Sequence, residues 1–334
     1  MSSTAHPLSA TDTPRSDRRG ATPSLSCVVP CHNEAKNLAL LLPQLAETLA
    51  GLSADWEVVL IDDGSTDNTA AVLLDWSERP GFRFVQLSRN FGKEAALTAG
   101  LQAARGDVVA MLDADLQHPP ALLGEMLARW RAGADVVYAL RENRDDEGPV
   151  KRLGTWLFYA MVNAPDRFEV PAGGGDFRLL DRRAVDALLA LPERNRFMKG
   201  LYAWIGFEAV AVPYTPAARA HGKTTFGLTR LIHLSLDGLT SFTTWPLRIV
   251  TVLGFVMALL GLCYGAYLSI SYLLYGNDVS GWTTIVVSLL LFLGVQMISL
   301  GIVGEYIGRI FEEVKGRPLY VVKRERGQGL KARP

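Results

Sequence analysis

The sequence predicts an α/β fold, in which a mostly parallel sheet is covered by helices on both faces and is followed by a two-helix membrane hairpin. Three observations predict this arrangement. Short runs rich in Val and Ile alternate with amphipathic stretches from Leu25 to about Val212, as in sheets built from strand–helix–strand units. Two long apolar runs come next, and polar clusters stand where the first strands end.

The composition excludes two classes of protein. The 334 residues include 34 Lys plus Arg and 34 Asp plus Glu, and 49% are hydrophobic. A disordered chain would be less apolar and a nucleic-acid-binding chain more basic, so we expect no nucleic-acid partner. The three cysteines have no spacing typical of a zinc site. Residues 1–24 lack a large apolar run, which predicts a disordered arm and not a secretory signal.

The elements of the first region follow from its periodicity. Each predicted strand is a short apolar run, and strands are predicted at 26–29, 56–61, 82–87, 108–112 and 135–140. The stretches between them repeat apolar residues at helical spacing, which predicts helices at 37–52, 69–77, 94–104 and 120–132. Asp67 and Asn68 are residue types that favour turns and helix N-caps, which fits the start of the second helix.

The two apolar runs that follow are long enough to cross a membrane. They occupy 249–274 and 282–303, and each exceeds the roughly 20 residues that a spanning helix needs. The alternative is a pair of buried core helices in a soluble protein. The loop at 276–281 has no Lys or Arg, whereas basic residues flank the pair on both sides. The positive-inside rule then places both long flanks, and both termini, in the cytoplasm of a multi-pass protein of the cell membrane.

Residues 226–242 connect the two regions. Their apolar side chains fall near one helical face, which predicts an amphipathic helix at the bilayer surface. The alternative is a core helix of the preceding domain. The predicted domains are an N-terminal arm at 1–24, an α/β domain at 25–222, an interfacial helix region at 223–246, transmembrane helices at 247–275 and 282–304, and a basic cytoplasmic C-terminal tail at 305–334.

Acidic and amide side chains follow the fourth predicted strand. Asp113 and Asp115 are separated by one residue, and Gln117 lies two residues further on. Carboxylate and amide oxygens are hard ligands suited to Mg²⁺ or Mn²⁺, and such an ion usually shares its coordination with substrate phosphates. The alternative for an isolated Asp-x-Asp is a solvated turn. The position after an apolar strand favours a metal site.

Two more polar clusters end earlier strands, and together the three predict a nucleotide-phosphate site. Asp62 and Asp63 end the second strand, and the segment from Pro30 to Glu34 ends the first. Ligands of open α/β sheets bind outside the carboxyl ends of the strands, so these clusters should converge. The chain has neither a Walker A sequence nor a G-x-G-x-x-G after the first strand, which counts against an ATPase or a dehydrogenase.

The ordered set of motifs resembles the family 2 glycosyltransferases of GT-A fold. The motifs are Pro30-x-x-Asn33-Glu34, Asp62-Asp63-Gly64-Ser65, Arg89-Asn90-Phe91-Gly92-Lys93-Glu94, Asp113-Ala114-Asp115-Leu116-Gln117, Gly175-Asp176-Phe177-Arg178 and Glu193-Arg194-x-Arg196-Phe197. With the membrane hairpin and Gly304-Glu305-Tyr306-Ile307, the chain resembles the polyprenyl-phosphate glycosyltransferases, which include bactoprenol glucosyltransferases and relatives of dolichol-phosphate mannose synthase. The resemblance implies a GT-A domain at 25–222.

The resemblance also implies roles for individual residues. It implies that Pro30, Glu34, Asp62, Asp63 and Asp113 bind the nucleotide, and that Asp113, Asp115 and Gln117 hold the divalent cation. The catalytic set that it implies is Asp176, Arg178 and Asp115, with Asp176 and Arg178 beside the sugar and the acceptor phosphate. Phosphate or acceptor binding would fall to Lys93, Arg219 and Lys223. For Arg178 and Arg196 a structural ion pair is the alternative.

The function implied by the resemblance is inverting, metal-dependent transfer of a sugar from a nucleotide-diphosphate sugar to undecaprenyl or dolichyl phosphate at the cytoplasmic membrane face. A UDP-sugar is favoured as donor, with a GDP-sugar as the alternative, and a homo-oligomer is expected. Two alternatives stay open: a processive polysaccharide synthase of the same fold, and a non-catalytic scaffold that binds the lipid carrier. The chain lacks the Gln-x-x-Arg-Trp motif typical of the processive enzymes.

Overall fold

A computed structural model describes residues 22–141, 174–215, 245–275 and 281–331. The chain divides into two units, one of Met1–Leu231 with Pro318–Pro334 and one of Ile232–Arg317. The elements of the first unit are β1 (Leu25–Cys31), α1 (Ala35–Leu52), β2 (Trp56–Asp62), α2 (Thr69–Trp76), β3 (Phe82–Leu87), α3 (Lys93–Ala103), β4 (Val108–Met111), α4 (Leu122–Arg131), β5 (Val136–Arg141), β6 (Gly174–Asp181), α5 (Arg182–Ala190), α6 (Met198–Trp204), β7 (Ala209–Tyr214) and β8 (Val322–Gly327). Those of the second are α7 (Trp245–Tyr275) and α8 (Trp282–Lys315).

The first unit contains one eight-stranded sheet with the order β7-β5-β6-β4-β1-β2-β3-β8. Strands β4, β1, β2 and β3 are mutually parallel, as is the pair β5 and β7. Strand β6 runs antiparallel to both β4 and β5, and β8 runs antiparallel to β3. The predicted α/β class is therefore confirmed, and the five predicted strands and four predicted helices each correspond to an observed element.

Burial on both faces explains why the central strands are continuous apolar runs. Val28 on β1 and Ile61 on β2 are fully buried, as are Leu38 and Leu42 of α1. Helix α3 lies especially close to the sheet, because a Cβ at Gly100 would overlap the Val28 side chain. A parallel sheet that is covered in this way exposes only its strand ends to ligands.

The C-terminal segment differs from the expected basic tail at 305–334. Helix α8 continues to Lys315, and residues 322–327 pair with β3 as the edge strand β8. The sequence Val322-Lys-Arg-Glu-Arg-Gly327 has no apolar alternation, so periodicity could not predict a strand there. Charged side chains are typical of edge strands, which remain exposed on one side. The α/β domain thus includes a segment that follows the hairpin in sequence.

The second unit consists of two apolar helices, α7 and α8. Both contain segments that are long and apolar enough to cross a membrane, with mean hydropathies of 2.2 over Ile249–Leu268 and 2.4 over Thr284–Lys315. Their large side chains are exposed, for example Leu262 at 72% and Leu273 at 81%. A soluble core helix would bury these groups, so the exposure favours the membrane interpretation over the buried pair. Residues 223–244 of the expected interfacial helix region lie outside the described residues.

Candidate active site

The candidate site lies at the carboxyl ends of the central strands, and Lys93 is at its centre. Lys93 is the first residue of α3. Its Nζ lies 2.7 Å from an Asp113 carboxylate oxygen and 2.7 Å from Asp176 Oδ2. One ammonium group therefore joins an acid that follows β4 to an acid on β6. The side chains of Asp113 and Asp176 remain 23% and 20% exposed, so solvent reaches both.

Asp63 holds the loop that places Lys93. Its two carboxylate oxygens accept the backbone N–H groups of Phe91 at 2.7 Å and Gly92 at 2.9 Å. The neighbouring Gly64 has φ +63°, and a Cβ there would overlap the backbone of Arg89 and Asn90. Only glycine allows this close approach of the two loops. The motifs after β2 and β3 are thus packed against one another and fix the start of α3.

Asp62 is fully buried at the end of β2. Its Oδ1 accepts the N–H of Ser65 at 3.0 Å, and its Oδ2 accepts Gln86 Nε2 at 2.8 Å. Asp62 and Asp63, expected to contact the nucleoside, therefore organise the surrounding backbone in this structure. Their contact with a nucleoside stays a prediction.

The segment after β1 is tied to the loop after β2. Asn33 has φ +59°, in the left-handed region, and its Oδ1 accepts the N–H of Thr66 at 2.8 Å. Glu34 accepts Asn37 Nδ2 at 2.6 Å. Burial raises the pKa of Glu34, as do the charges of Asp115 and Asp113, against the lowering by Asn37. Pro30, in β1, pairs with Ile61 of β2, so the predicted nucleotide-binding residues share one edge of the sheet.

The acidic loop after β4 has an unusual backbone conformation at Leu116. Leu116 has φ +62°, which is rare for a residue with a branched side chain. Asp115 Oδ1 accepts the N–H of Gln117 at 3.1 Å, across this residue. Strain of this kind costs about 1–3 kcal/mol and is found mainly at functional sites. The loop therefore presents Asp113, Asp115 and Gln117 within five consecutive residues at the sheet edge.

Charge pairing controls the ionisation of the central groups. Burial alone would raise the pKa of Asp176, but the positive charges of Lys93, Lys199 and Arg178 outweigh it and lower the pKa. Burial would lower the pKa of Lys93, but Asp113 and Asp176 outweigh it and raise the pKa. Asp176 and Lys93 are therefore both ionised at neutral pH, and the Lys93 ammonium is shared with Asp113.

Arg178 and Arg196 are both buried, at 2% and 8% exposure. Arg178 Nε donates to the carbonyl of Gly175 at 3.0 Å, and its guanidinium lies 4.2 Å from the ring centre of Tyr202. Arg196 donates to the carbonyls of Glu193, Leu188 and Leu191. Arg196 thus braces the end of α5, which favours its structural interpretation. The catalytic role of Arg178 stays a prediction.

Two further groups at the site, Glu94 and His118, are not among the predicted site residues. Burial and the charge of Asp176 raise the pKa of Glu94 to about 8, and its Oε2 is buried without a hydrogen-bond partner among the described residues. His118 is enclosed between the rings of Phe177 and Tyr214, and its burial lowers its pKa. Their ionisation depends on burial that only the folded chain supplies, so no sequence signal identifies it. Arg219 and Lys223, predicted to bind phosphate, lie outside the described residues.

The residues present fit a divalent cation whose remaining ligands come from a diphosphate. No group of three or more His, Cys, Asp or Glu side chains in the described ranges is arranged to hold a metal alone. Asp113 nevertheless binds a cation already, in the form of the Lys93 ammonium. Asp115 and Gln117 stand beside it with the hard oxygen donors that Mg²⁺ and Mn²⁺ prefer.

Comparison with known proteins gives matches to both units. Residues 26–189 match the model of Glycosyl transferase family 2, and residues 245–310 match that of the GtrB C-terminal hairpin. An uncharacterized glycosyltransferase of Synechocystis is 43% identical over 302 residues, which cover 90% of this chain and 95% of that protein. The SfII prophage-derived bactoprenol glucosyl transferase of Shigella flexneri is 40% identical, with 90% of this chain and 97% of that protein covered.

Among solved structures, the glucosyl-3-phosphoglycerate synthase of Mycobacterium tuberculosis aligns with a TM-score of 0.46 at 20% identity. The alignment covers 67% of this chain and 80% of that chain.

Proposed function

Since this chain belongs to glycosyl transferase family 2 and is a glycosyltransferase of GT-A fold, we propose that it transfers a sugar to polyprenyl phosphate. The donor is a nucleotide-diphosphate sugar, with UDP favoured over GDP as its nucleotide. The lipid phosphate oxygen bonds to the anomeric carbon while the bond from that carbon to the diphosphate oxygen breaks. Attack opposite the leaving group inverts the anomeric configuration. Both the metal dependence and this inversion are part of the proposal.

The acceptor explains why the site needs no strong general base. A phosphate monoester has a second pKa of about 6, so its attacking oxygen is already deprotonated at neutral pH. Asp176 has a lowered pKa and is held by Lys93, so it is poorly suited to accept a proton. Its proposed role is to orient the sugar or the acceptor. Catalysis then depends on position and on stabilisation of the departing diphosphate.

Asp113, Asp115 and Gln117 would hold the divalent cation, which neutralises charge on the diphosphate when it is bound. Lys93 lies within reach of the same region and would contact the departing diphosphate or the acceptor phosphate. Arg219 and Lys223 are proposed for the remaining phosphate contacts. Pro30, Glu34, Asp62 and Asp63 would form the nucleoside end of the crevice.

The acceptor also accounts for the two apolar helices. A polyprenyl chain stays in the bilayer, so its phosphate is available only at the membrane surface. We propose that both helices cross the membrane and that the α/β domain lies on the cytoplasmic side, where basic residues flank the hairpin. Gly261 and Gly265, and Gly304 and Gly308, have the four-residue spacing that allows close helix packing, either within the hairpin or between the subunits of the proposed homo-oligomer.

The observation that carries the proposal is the bridge from Lys93 to Asp113 and Asp176. It connects the motif after β3, the acidic loop after β4 and the motif on β6 through one side chain. A scaffold protein has no need to keep three such motifs in contact. Lys93 and Asp176 shift each other's pKa values at the ligand-binding end of the sheet, which is typical of a functional site.

The test is product formation by the full chain in membranes, with undecaprenyl phosphate and a panel of labelled UDP- and GDP-sugars. Thin-layer separation of the lipids identifies the sugar that is transferred. We expect one sugar per lipid, loss of product with EDTA, and its return with excess Mn²⁺ or Mg²⁺. Asp115→Ala should lower the rate by about 100-fold or more, whereas Asp75→Ala, an exposed acid of α2, should leave it unchanged.

Three outcomes would overturn parts of the proposal. Full activity of Asp115→Ala would remove the metal assignment. A lipid product that carries a growing sugar chain would favour a processive synthase. The absence of any lipid-linked sugar over the whole panel, with a chain that is folded, would favour the scaffold.

A further inference from the structure

Three side chains form one rung across the sheet from the C-terminal edge strand to the nucleotide edge. Arg324 of β8 is paired in register with Gln86 of β3, and Gln86 with Asp62 of β2. Arg324 Nε donates to Gln86 Oε1 at 2.9 Å. Gln86 Nε2 donates to Asp62 Oδ2 at 2.8 Å. A residue that follows the membrane hairpin in sequence is thus two hydrogen bonds from an acid of the candidate site.

The chemistry of the three groups fixes the orientation of the rung. A guanidinium only donates hydrogen bonds, and a carboxylate only accepts them. The Gln86 amide must therefore turn its oxygen towards Arg324 and its NH₂ towards Asp62. Asp62 Oδ1 accepts the N–H of Ser65 at 3.0 Å, so the carboxylate is held at both oxygens.

The orientation of the Gln86 amide depends on Arg324. Asp62 is fully buried and Gln86 is 8% exposed, so water can replace few of their bonds. Arg324 is itself exposed, so without the guanidinium the Gln86 oxygen would bond to water. Water can donate or accept hydrogen bonds, so it does not fix the orientation of the amide as a guanidinium does. Rotation of the amide would aim its oxygen at the Asp62 carboxylate, remove the hydrogen bond to Asp62 Oδ2 and loosen Asp62.

The edge strand is held in place by contacts other than Arg324. Ser88 N–H donates to the carbonyl of Val321 at 2.8 Å, and Arg83 pairs with Glu325. Beyond β8, Leu330 N–H donates to the fully buried Glu57 at 3.0 Å. A substitution of Arg324 should therefore leave β8 on the sheet, so its effect on Asp62 can be measured separately.

We propose that Arg324 is a positioning residue for the nucleotide end of the site, acting through Gln86 on Asp62. The inference deepens the proposed function, because it rests on the assignment of Asp62 to nucleoside binding. It predicts that the segment after the hairpin sets the affinity for the nucleoside diphosphate without taking part in the transfer step.

The test compares Arg324→Gln with Lys323→Gln in the purified full chain. Both remove one positive charge from β8, and Lys323 is exposed on the same strand. UDP and GDP binding is measured by calorimetry, and kcat and KM for the donor by the lipid assay. We expect Arg324→Gln to weaken nucleotide binding and raise KM by about three- to tenfold, with kcat within about twofold. Lys323→Gln should match the wild type.

Conservative and double variants separate positioning from a general structural effect. Arg324→Lys keeps a donor and should restore binding to within about twofold of wild type. Gln86→Leu should weaken binding as much as Arg324→Gln, and the double variant should be no weaker than Gln86→Leu alone. If Arg324→Gln does not fold, Arg324→Lys and Gln86→Leu carry the same comparison.

Equal affinities of Arg324→Gln and Lys323→Gln would overturn the inference, as would additive losses in the double variant. A loss confined to kcat would also contradict it. A folded wild-type chain that binds neither UDP nor GDP would instead contradict the proposed function, so the two failures are distinguishable.

Discussion

The acids of the site fall into two pairs that are held in different ways. Asp62 and Asp63 are buried; three of their four carboxylate oxygens accept backbone N–H groups of the adjoining loops, and Asp62 Oδ2 accepts the side-chain amide of Gln86. Asp113 and Asp176 are partly exposed and share the Lys93 ammonium. The first pair is held mainly by backbone N–H groups, which cannot leave. The second pair is bridged by one lysine side chain, which leaves a net charge of −1 on the three groups and which a cation can displace.

The difference shows how one edge of the sheet can hold its loops rigidly and still exchange the cation bound to two of its acids. Backbone N–H groups that bind a carboxylate hold a loop rigidly, and each carboxylate oxygen keeps a second lone pair for a ligand. A lysine shared by two carboxylates can be displaced from them by a competing cation or drawn away by a substrate phosphate. The backbone-bound pair should therefore matter most for stability, and the lysine-bound pair for activity.

Asp176→Asn gives the largest expected effect. The amide keeps the shape but loses the charge that pairs with Lys93, so we expect the transfer rate to fall by about 100- to 1,000-fold. Lys93 retains Asp113 as a partner, and the side chains are exposed enough that the free energy of unfolding should change by less than about 1 kcal/mol. The lipid assay and thermal unfolding measure the two quantities. A variant that loses both in parallel would place Asp176 with the backbone-bound pair.

Asp63→Ala tests the other pair, whose acids are held by backbone N–H groups. It leaves the N–H groups of Phe91 and Gly92 without their acceptor, and we expect the free energy of unfolding to fall by about 2–4 kcal/mol. Asp63→Asn keeps one acceptor oxygen and should lose about half as much. Denaturant unfolding of the full chain in detergent gives both values. Equal stability of the wild type and Asp63→Ala would show that the loop does not depend on this carboxylate.

Much of the fold and of the nucleotide edge can be predicted from the sequence because their signals are local. Apolar runs mark β1 to β5, and the polar clusters after β1, β2 and β4 are consecutive residues at strand ends. Strand β8 gives no such signal, because an exposed edge strand of charged residues looks like a solvated tail. Its pairing with β3 joins residues that are more than 230 positions apart.

The roles inside the site are harder to predict than its location. The sequence places Lys93 next to a glycine at a helix start, but its bridge to Asp113 and Asp176 exists only once three strands have assembled. The burial that raises the pKa of Glu94 to about 8 arises in the same way. Sequence motifs thus predict which residues gather, whereas their charge states depend on what the fold encloses.

Glu94→Gln gives the smallest expected effect and sharpens the comparison with an acid that belongs to neither pair. The pKa of Glu94 is about 8 in the folded chain, whereas its ordinary value is 4.5. Burial is the main cause, and the charge of Asp176 also raises the pKa. The charges of Lys93 and Lys199 lower it but do not outweigh these effects. Between pH 4.5 and 8 the unfolded chain has lost this proton while the folded chain keeps it. Wild-type stability should therefore fall as pH rises through this window and level off above about pH 8. Glu94→Gln has no proton to lose at this site. Relative to the wild type, its free energy of unfolding should therefore rise by about 2 kcal/mol between pH 5 and pH 8, with partial access of water limiting the rise.

Unfolding curves at the two pH values measure this difference. Glu125→Gln, on the exposed face of α4, is the control that should show no such difference. A gain at pH 5 equal to that at pH 8 would mean that Glu94 is ionised in the folded chain and belongs with the lysine-bound pair.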